Sequence, residues 1–301
     1  MNIAKIILPI VAIALFASCT KEVSIKVPPY VSKLTVNSIN EAGDPIALRV
    51  SRSVSIADRK YQPDLTVGGA AVDLYENGTL KQTLVFDQTY QAYVSTVTAT
   101  VGNQYSIKVS APTYTSVSAE TGVPSPITIQ NFTRIKNART DADGNTQDQV
   151  IFNFDDPATA GDYYIIRLMP EFDSNNYYYN FCVNTTDASL ETVSSENVDL
   201  TTCFDNRGIF MRDELFNGTQ KQIKLYVNSS NFNISYNGVD TAHLVLELWH
   251  VPDTYFRYEK SRISADNSNG DPFAEPVNTY SNVTNGYGIF SMISRDFLLI
   301  Q

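Results

Sequence analysis

In the first half of the chain, apolar and polar residues alternate along short segments. Residues 33–37 and 46–51 carry an apolar side chain at about every second position, which is the period of a β-strand with one buried face. The pair Asn77-Gly78 follows another such segment and is the strongest short-range signal for a hairpin. About seven such segments within about 90 residues, without helical periodicity, predict an immunoglobulin-like β-sandwich over residues 33–123.

Pro124 and Pro126 interrupt this pattern, and the segments that follow are longer and more aromatic. The polar residues 139–149 are predicted to form a hairpin tip, whereas residues 251–265 have the apolar spacing of a helix. We therefore predict a second, larger β-rich domain with one short helix over residues 124–301, and an all-β fold for the whole chain. Its strands are predicted at residues 127–129, 150–154, 162–168, 222–227 and 242–249.

The chain begins with a short apolar run that leads to a cysteine. Residues 6–16 are almost wholly apolar, follow Lys5, and precede two small residues and Cys19. This order is typical of a secretory signal peptide, and a cysteine at the cleavage point is typical of a bacterial lipoprotein. The run is shorter than the roughly 20 residues of a membrane span. We expect residues 1–18 to be removed and Cys19 to carry acyl chains such as palmitate. Residues 19–32 would then form a tether. The alternative is an ordinary signal peptide with an incidental cysteine.

The charge of the chain limits its partners. It has 301 residues, with 22 Lys and Arg against 32 Asp and Glu, and therefore a net charge of −10. An acidic surface repels phosphate backbones, so we expect no nucleic-acid partner. It also argues against charge-driven docking on anionic lipid, so contact with the membrane is expected through the lipid anchor.

Two further cysteines fit an exported protein. With Cys19 acylated, Cys182 and Cys203 form the remaining pair. A disulfide between them would close a loop of about 20 residues and stabilise the fold by about 3 kcal/mol in the chain-entropy model. We predict this disulfide; two independent free thiols are the alternative.

Specific catalytic motifs are missing from the sequence. The two histidines, His243 and His250, point to opposite faces if they share a strand. Asp141, Asp143 and Asn145 resemble the start of a calcium loop, but the glycine and the final glutamate of such a loop are missing. We expect no catalytic residue, no cofactor and no metal site, although two acids on separate strands would escape detection in the sequence.

Tyrosines cluster in two places, and the clusters would place rings on both faces of a strand. Exposed rings could stack on sugars or anchor a protein interface. Tyrosines that pack on the sheet and keep a hydrated hydroxyl are the alternative. The possible binding residues are Tyr163, Tyr164, Tyr177, Tyr178 and Tyr179.

The C-terminal part carries a recognisable run of motifs. Gly286 and Gly288 allow tight backbone turns, and Asn285-Gly286 could form a hairpin before Phe290 enters the core. We interpret the run as structural rather than as a ligand site. Its residues are Pro272, Phe273, Glu275, Pro276, Asn282, Asn285, Gly286, Gly288 and Phe290. This run resembles the end of a Bacteroidota lipoprotein family known as domain of unknown function (DUF) 4249, and the resemblance extends upstream over nearly the whole mature chain.

The resemblance implies a location and a partner rather than a reaction. Members of that family are lipid-anchored in the outer membrane and are associated with TonB-dependent receptor barrels. We therefore expect a non-enzymatic protein, lipid-anchored in the outer membrane at the cell surface, that acts as an accessory subunit of an outer-membrane β-barrel. The barrel would be a TonB-dependent transporter, for which this chain captures ligand or covers the mouth. A structural subunit of an assembly or secretion complex, and a glycan-binding or glycan-active surface protein, are the alternatives.

Overall fold

The computed structural model confirms an all-β fold with a single α-helix among the residues that it describes. These residues are 29–55, 64–170, 181–191, 204–232, 235–236, 239–240, 244–268, 275 and 277–300. Cys19 and the predicted signal peptide lie outside them. In the described part of the chain, no helix is long and apolar enough to cross a membrane.

The first half forms eight short strands, in agreement with the alternation in its sequence. In strands such as β1 and β7, apolar side chains at alternate positions are buried and their neighbours face outward. The strands are β1 (Leu34–Glu41), β2 (Pro45–Arg52), β3 (Ala71–Glu76), β4 (Thr79–Thr83), β5 (Val85–Asp87), β6 (Ala92–Thr98), β7 (Gln104–Ser110) and β8 (Val117–Gly122).

The second half contains the longer strands and the helix α1 (Asp253–Ser268), close to the predicted residues 251–265. Two 3-10 helices, Asp213–Leu215 and Ser229–Phe232, also lie here. The strands are β9 (Gln130–Thr140), β10 (Thr146–Asp155), β11 (Tyr163–Pro170), β12 (Cys182–Asn184), β13 (Leu190–Glu191), β14 (Phe204–Asp205), β15 (Ile209–Arg212), β16 (Gln220–Asn228), β17 (Ser235–Tyr236), β18 (Val239–Asp240), β19 (Leu244–Val251) and β20 (Tyr287–Ile300).

The predicted hairpin tip connects β9 and β10. The Asp141 carboxylate accepts hydrogen bonds from the backbone N–H groups of Asp143 at 3.0 Å and Asn145 at 2.8 Å. Gly144 has a φ of +85°, which a glycine adopts without strain. The Asp141 carboxylate therefore stabilises a turn.

Three large sheets build two sandwiches. A nine-stranded sheet has the order β13-β15-β11-β19-β20-β1-β2-β6-β5. A four-stranded sheet, β4-β3-β7-β8, packs on one end of it, and a five-stranded sheet, β14-β12-β16-β10-β9, packs on the other. Each pair of facing sheets encloses its own apolar core.

Strand β20 belongs to both sandwiches, although it lies at the end of the chain. It pairs with β19 in antiparallel fashion and with β1 in parallel, from Thr35 opposite Tyr287 to Glu41 opposite Ile293. Phe290 lies in the core of the first sandwich and Ile300 in the core of the second. Residues 124–301 therefore complete the sheet of the predicted first domain, and the two halves share one continuous sheet.

The predicted hairpin at Asn285-Gly286 is wrong. The chain does turn there, with Asn285 at a φ of +62°, but β20 pairs with β1 and β19 rather than with the segment before the turn. Gly288 has a φ of +101°, and a Cβ atom on it would lie 1.9 Å from the carbonyl oxygen of Val36. The glycine is needed because two strands approach closely, which the local sequence does not reveal.

Helix α1 covers the outer face of the nine-stranded sheet near its middle. Its buried side chains Tyr255, Phe256 and Ile263 pack on Phe210 and Trp249, which point away from the two sandwich cores. The sheet is thus buried on both faces at this point, and a third apolar cluster forms there.

Candidate functional site

The structure separates the predicted tyrosine residues. Tyr164 is completely buried, and its hydroxyl donates a hydrogen bond to the Asp156 carboxylate. Tyr164 is therefore not a binding residue at the surface, because this ring is part of the second core. Tyr163 is half-buried against Phe256, with ring centroids 5.1 Å apart. Tyr177, Tyr178 and Tyr179 lie outside the described residues.

Asn282 is the C-terminal motif residue with the clearest structural role. Its side-chain amide donates to the Phe290 carbonyl oxygen at 2.8 Å, and its side-chain oxygen accepts from the Phe290 N–H at 3.0 Å. The amide also donates to the Glu120 carbonyl oxygen at 3.2 Å, which ties β20 to β8. Gly286 packs against β1, and Glu275 is exposed. Pro272, Phe273 and Pro276 lie outside the described residues.

Cys182 opens strand β12, which pairs with β14 so that Val183 lies opposite Phe204. Cys203 directly precedes β14 in the sequence but lies outside the described residues, as does His243. The disulfide therefore stays a prediction. It is supported by the pairing of β12, which contains Cys182, with β14, which directly follows Cys203 in the sequence.

Three carboxylates converge where the second sandwich meets the first. Asp156 follows β10, Asp162 precedes β11 and Asp213 follows β15, and one oxygen of each lies within 4.8 Å of the others. Backbone N–H groups of Gly218 and Gly161 donate to Asp156 at 2.7 Å and to Asp213 at 2.8 Å. We name these three residues the junction carboxylates.

His250 is the basic side chain that faces these acids. Its Nδ1 lies 2.9 Å from the Ser125 carbonyl oxygen, and its Nε2 lies 2.8 Å from Asp162 Oδ1. Because a carbonyl oxygen only accepts, Nδ1 carries a proton, and an ionised Asp162 requires a second proton on Nε2. Asp162 Oδ2 is buried without a hydrogen-bond partner among the described residues.

Burial raises the pKa of Asp156, and the charges of Asp162 and Asp213 act in the same direction. Carboxylate oxygens within 4.8 Å of one another repel when they are ionised, and hard cations such as Ca²⁺ prefer oxygen ligands of this kind. The sequence did not predict the junction carboxylates, because Asp156 and Asp213 are far apart along the chain and no spacing rule links them.

A groove of about 870 Å³ lies between the two halves of the molecule. Its floor is the outer face of the four-stranded sheet, where Tyr75, Ser106 and Glu120 stand opposite one another on β3, β7 and β8. Its wall is formed by residues 280–284 and by Thr254 in the first turn of α1. We name it the junction groove.

The wall of the junction groove is held in place by hydrogen bonds. Ser118 and Thr284 exchange backbone hydrogen bonds at 3.4 and 2.8 Å, which join residues 280–284 to β8. The Tyr280 N–H donates to the Ser261 hydroxyl at 2.8 Å, and the Arg257 guanidinium stacks on the Tyr280 ring at 4.3 Å. The groove is therefore a preformed feature of the fold.

An ion-pair network fastens α1 to the sheet beside the groove. Glu259 is buried and pairs with Arg167 of β11 and Arg262 of α1. The Arg167 guanidinium also stacks on the Trp249 ring at 4.0 Å. Burial opposes ionisation of Glu259, but the hydrogen bonds from Arg262 and the charge of Arg167 outweigh it and hold the pKa of Glu259 below its ordinary value.

The family model described as "Domain of unknown function (DUF4249)" matches residues 20–296. This match includes both sandwiches, the junction groove and the junction carboxylates. No curated protein matches the chain.

Proposed function

The chain belongs to the DUF4249 family, and on that premise we propose that it is a non-enzymatic outer-membrane lipoprotein that captures ligand as the accessory subunit of a TonB-dependent barrel. The anchor would be Cys19, followed by the tether at residues 19–32, with both sandwiches outside the membrane. Lipidation and surface display place a binding protein beside the barrel that imports its ligand.

The junction groove is the observation that carries this proposal. It lies between the outer face of the first sandwich and the segment before β20, so both halves of the molecule contribute to it. Its volume of about 870 Å³ lies within the range of small-molecule sites, about 300–1,000 Å³. An open, polar groove lets a ligand bind and leave quickly, which suits a protein that passes ligand to a transporter.

The acids of the molecule support binding rather than hydrolysis. Glycoside hydrolysis commonly needs a pair of carboxyl groups about 5–10 Å apart on either side of the scissile bond. Among the described residues that line the junction groove, Glu120 is the single acid. Asp162 instead borders a pocket of about 180 Å³, and Asp156 and Asp213 are buried.

Co-purification from native membranes tests the proposal. The full-length protein with a C-terminal tag is extracted from outer membranes in mild detergent, and stoichiometric partners are identified by mass spectrometry. We expect a TonB-dependent barrel. A Cys19→Ser variant is the matched control, because it removes the lipid attachment point and leaves both sandwiches unchanged; it should lose the outer-membrane location and the barrel together.

Two results would contradict the proposal. A barrel of an assembly or secretion machine as the stoichiometric partner would favour a structural role in that complex. Location of the native protein only in the inner membrane would exclude partnership with any outer-membrane barrel.

A further inference from the structure

The lining of the junction groove is rich in hydroxyl groups. Its side chains come from strands β3, β7 and β8 and from the segment before β20, and most of them both donate and accept hydrogen bonds. A ligand that carries many donors and acceptors of its own is complementary to such a surface. The hydroxyl-bearing residues include Ser106, Ser116, Ser118, Thr254, Ser281 and Thr284.

The charges of the lining cancel. Lys108 of β7 and Glu120 of β8 are the charged side chains among the described lining residues, and both are exposed. A groove with one charge of each sign favours neither an anion nor a cation. The net charge of −10 on the whole chain further disfavours anionic polymers.

Two tyrosines flank the polar lining. Tyr75 lies on the floor and Tyr280 on the wall, and Arg257 stacks on Tyr280 and holds its ring in place. Aromatic rings pack against apolar faces of a ligand, while the tyrosine hydroxyl keeps a polar contact. Sugar rings offer both an apolar face of C–H groups and a rim of hydroxyls.

Thr254 provides a polar group that lacks a partner within the described part of the protein. Its Oγ1 is buried and makes no hydrogen bond to any described residue, whereas other atoms of the half-buried residue line the groove. Buried polar atoms are normally hydrogen-bonded, because an unmade bond costs about 1–3 kcal/mol. Because Oγ1 is closed to solvent, a ligand hydroxyl bonds to it once the Thr254 side chain turns about χ1 toward the groove.

A peptide that adds a strand to the sheet does not fit here. Strand β8 is the edge of the four-stranded sheet, but the backbone of Ser118 already bonds to Thr284. The carbonyl oxygen of Glu120 accepts from the Asn282 side chain. The backbone groups that strand addition requires are therefore occupied, and recognition depends on side chains.

We propose that the junction groove binds a short, neutral oligosaccharide. This inference rests on the proposed ligand capture and names its chemical class. Tyr75 and Tyr280 pack on sugar rings, the serine and threonine hydroxyls bond to the sugar hydroxyls, and Thr254 gains its partner from the ligand.

Direct binding to the purified mature protein tests this inference. Neutral oligosaccharides, acidic oligosaccharides and peptides are screened on arrays, and hits are measured by calorimetry at concentrations up to about 10 mM, which detects dissociation constants in the millimolar range. We expect neutral oligosaccharides to bind. Tyr75→Ala and Tyr280→Ala should each weaken that binding about tenfold or more. Tyr90→Ala removes an exposed tyrosine outside the junction groove and should change affinity less than twofold.

A Thr254→Val variant distinguishes a binding role from a structural one. Without its hydroxyl, the protein should be as thermally stable as the native chain or more so, because an unpaired buried polar atom is removed. Its affinity for the oligosaccharide should nevertheless fall about fivefold or more. Equal affinity in Thr254→Val would overturn the assigned contact.

Three results would overturn the inference as a whole. The protein could bind only acidic glycans or peptides, or it could show no binding of neutral glycans up to about 10 mM. In the third case it binds neutral glycans, but Tyr75→Ala and Tyr280→Ala leave the affinity unchanged. The co-purification experiment does not use a glycan. Recovery of a TonB-dependent barrel together with a failed glycan test would therefore reject the ligand class and retain the accessory role.

Discussion

Replacing Glu259 by glutamine removes the negative charge that two arginines share beneath helix α1. Glu259 is 2% exposed and pairs with Arg167 across the helix–sheet interface and with Arg262 on its own helix. Glutamine has nearly the same shape and keeps one hydrogen-bond acceptor. The perturbation therefore tests the charge and leaves the packing of α1 almost unchanged.

The expected cost is about 3 kcal/mol of unfolding free energy. Removing one partner of a buried ion pair destabilises a protein by about 3–5 kcal/mol, because the other charge stays buried without compensation. The lower end applies here, since Arg167 keeps its stacking contact with Trp249 and Arg262 keeps Asp266. For a chain of this size, about 3 kcal/mol corresponds to a fall in Tm of roughly 5 °C.

The same variant has a defined pH dependence. The pKa of Glu259 is lowered in the folded protein, so its stabilising effect is fully present above the pKa of an unfolded glutamate, about 4.3. It is lost as the pH falls through the lower folded pKa. The stability difference between the native protein and E259Q should therefore be largest near neutral pH and shrink below about pH 4.

Urea unfolding of the purified mature protein, followed by circular dichroism at several pH values, measures this difference. Asp266→Asn is the matched control, because it makes the same acid-to-amide change at an exposed partner of Arg262. This control should cost less than about 0.5 kcal/mol. If E259Q were as stable as the control at pH 7, the ion pair would not hold α1 on the sheet and the reasoning would be refuted.

Other predictions follow from the backbone, the junction carboxylates and the cysteines. Gly288→Ala should destabilise the protein by more than about 3 kcal/mol, because β1 would have to move away. Gly144 also has a positive φ but lies in open space, so Gly144→Ala should lower the free energy of unfolding by only about 1–2 kcal/mol in the same denaturation assay. Burial raises the pKa of Asp156, so its ionisation costs stability as pH rises. The stability of Asp156→Asn relative to the native protein should therefore increase from about pH 4 to pH 7, as urea midpoints would show. Replacing Cys182 and Cys203 by serine should lower the free energy of unfolding by about 3 kcal/mol. Rapid labelling of both cysteines in the native protein by a thiol reagent would contradict the disulfide.

Local sequence determined the elements of this protein. Alternation of apolar and polar residues predicted strands of the first half and the long strands β10, β11, β16 and β19 of the second, and the spacing around Tyr255, Phe256 and Ile263 predicted the helix Asp253–Ser268. The predicted strand at residues 127–129 is wrong, because this segment precedes β9 without forming a strand. The other predictions hold because the buried face of a strand or helix imposes its own period on a few consecutive residues. The polar tip between β9 and β10 was predictable for a similar reason, since its turn is stabilised by its own side chains.

Tertiary structure alone decided which elements meet. The pairing of β20 with β1, the need for Gly288, the burial of Tyr164 and the junction groove all join residues that are distant along the chain or on separate strands. The alternation of apolar and polar residues shows which face of a strand is buried. It does not show which strand lies beside it or how the residues of the two strands are aligned. Sheet order and register bring Thr254 and Tyr280 to the face that carries Tyr75, and no local pattern contains that information.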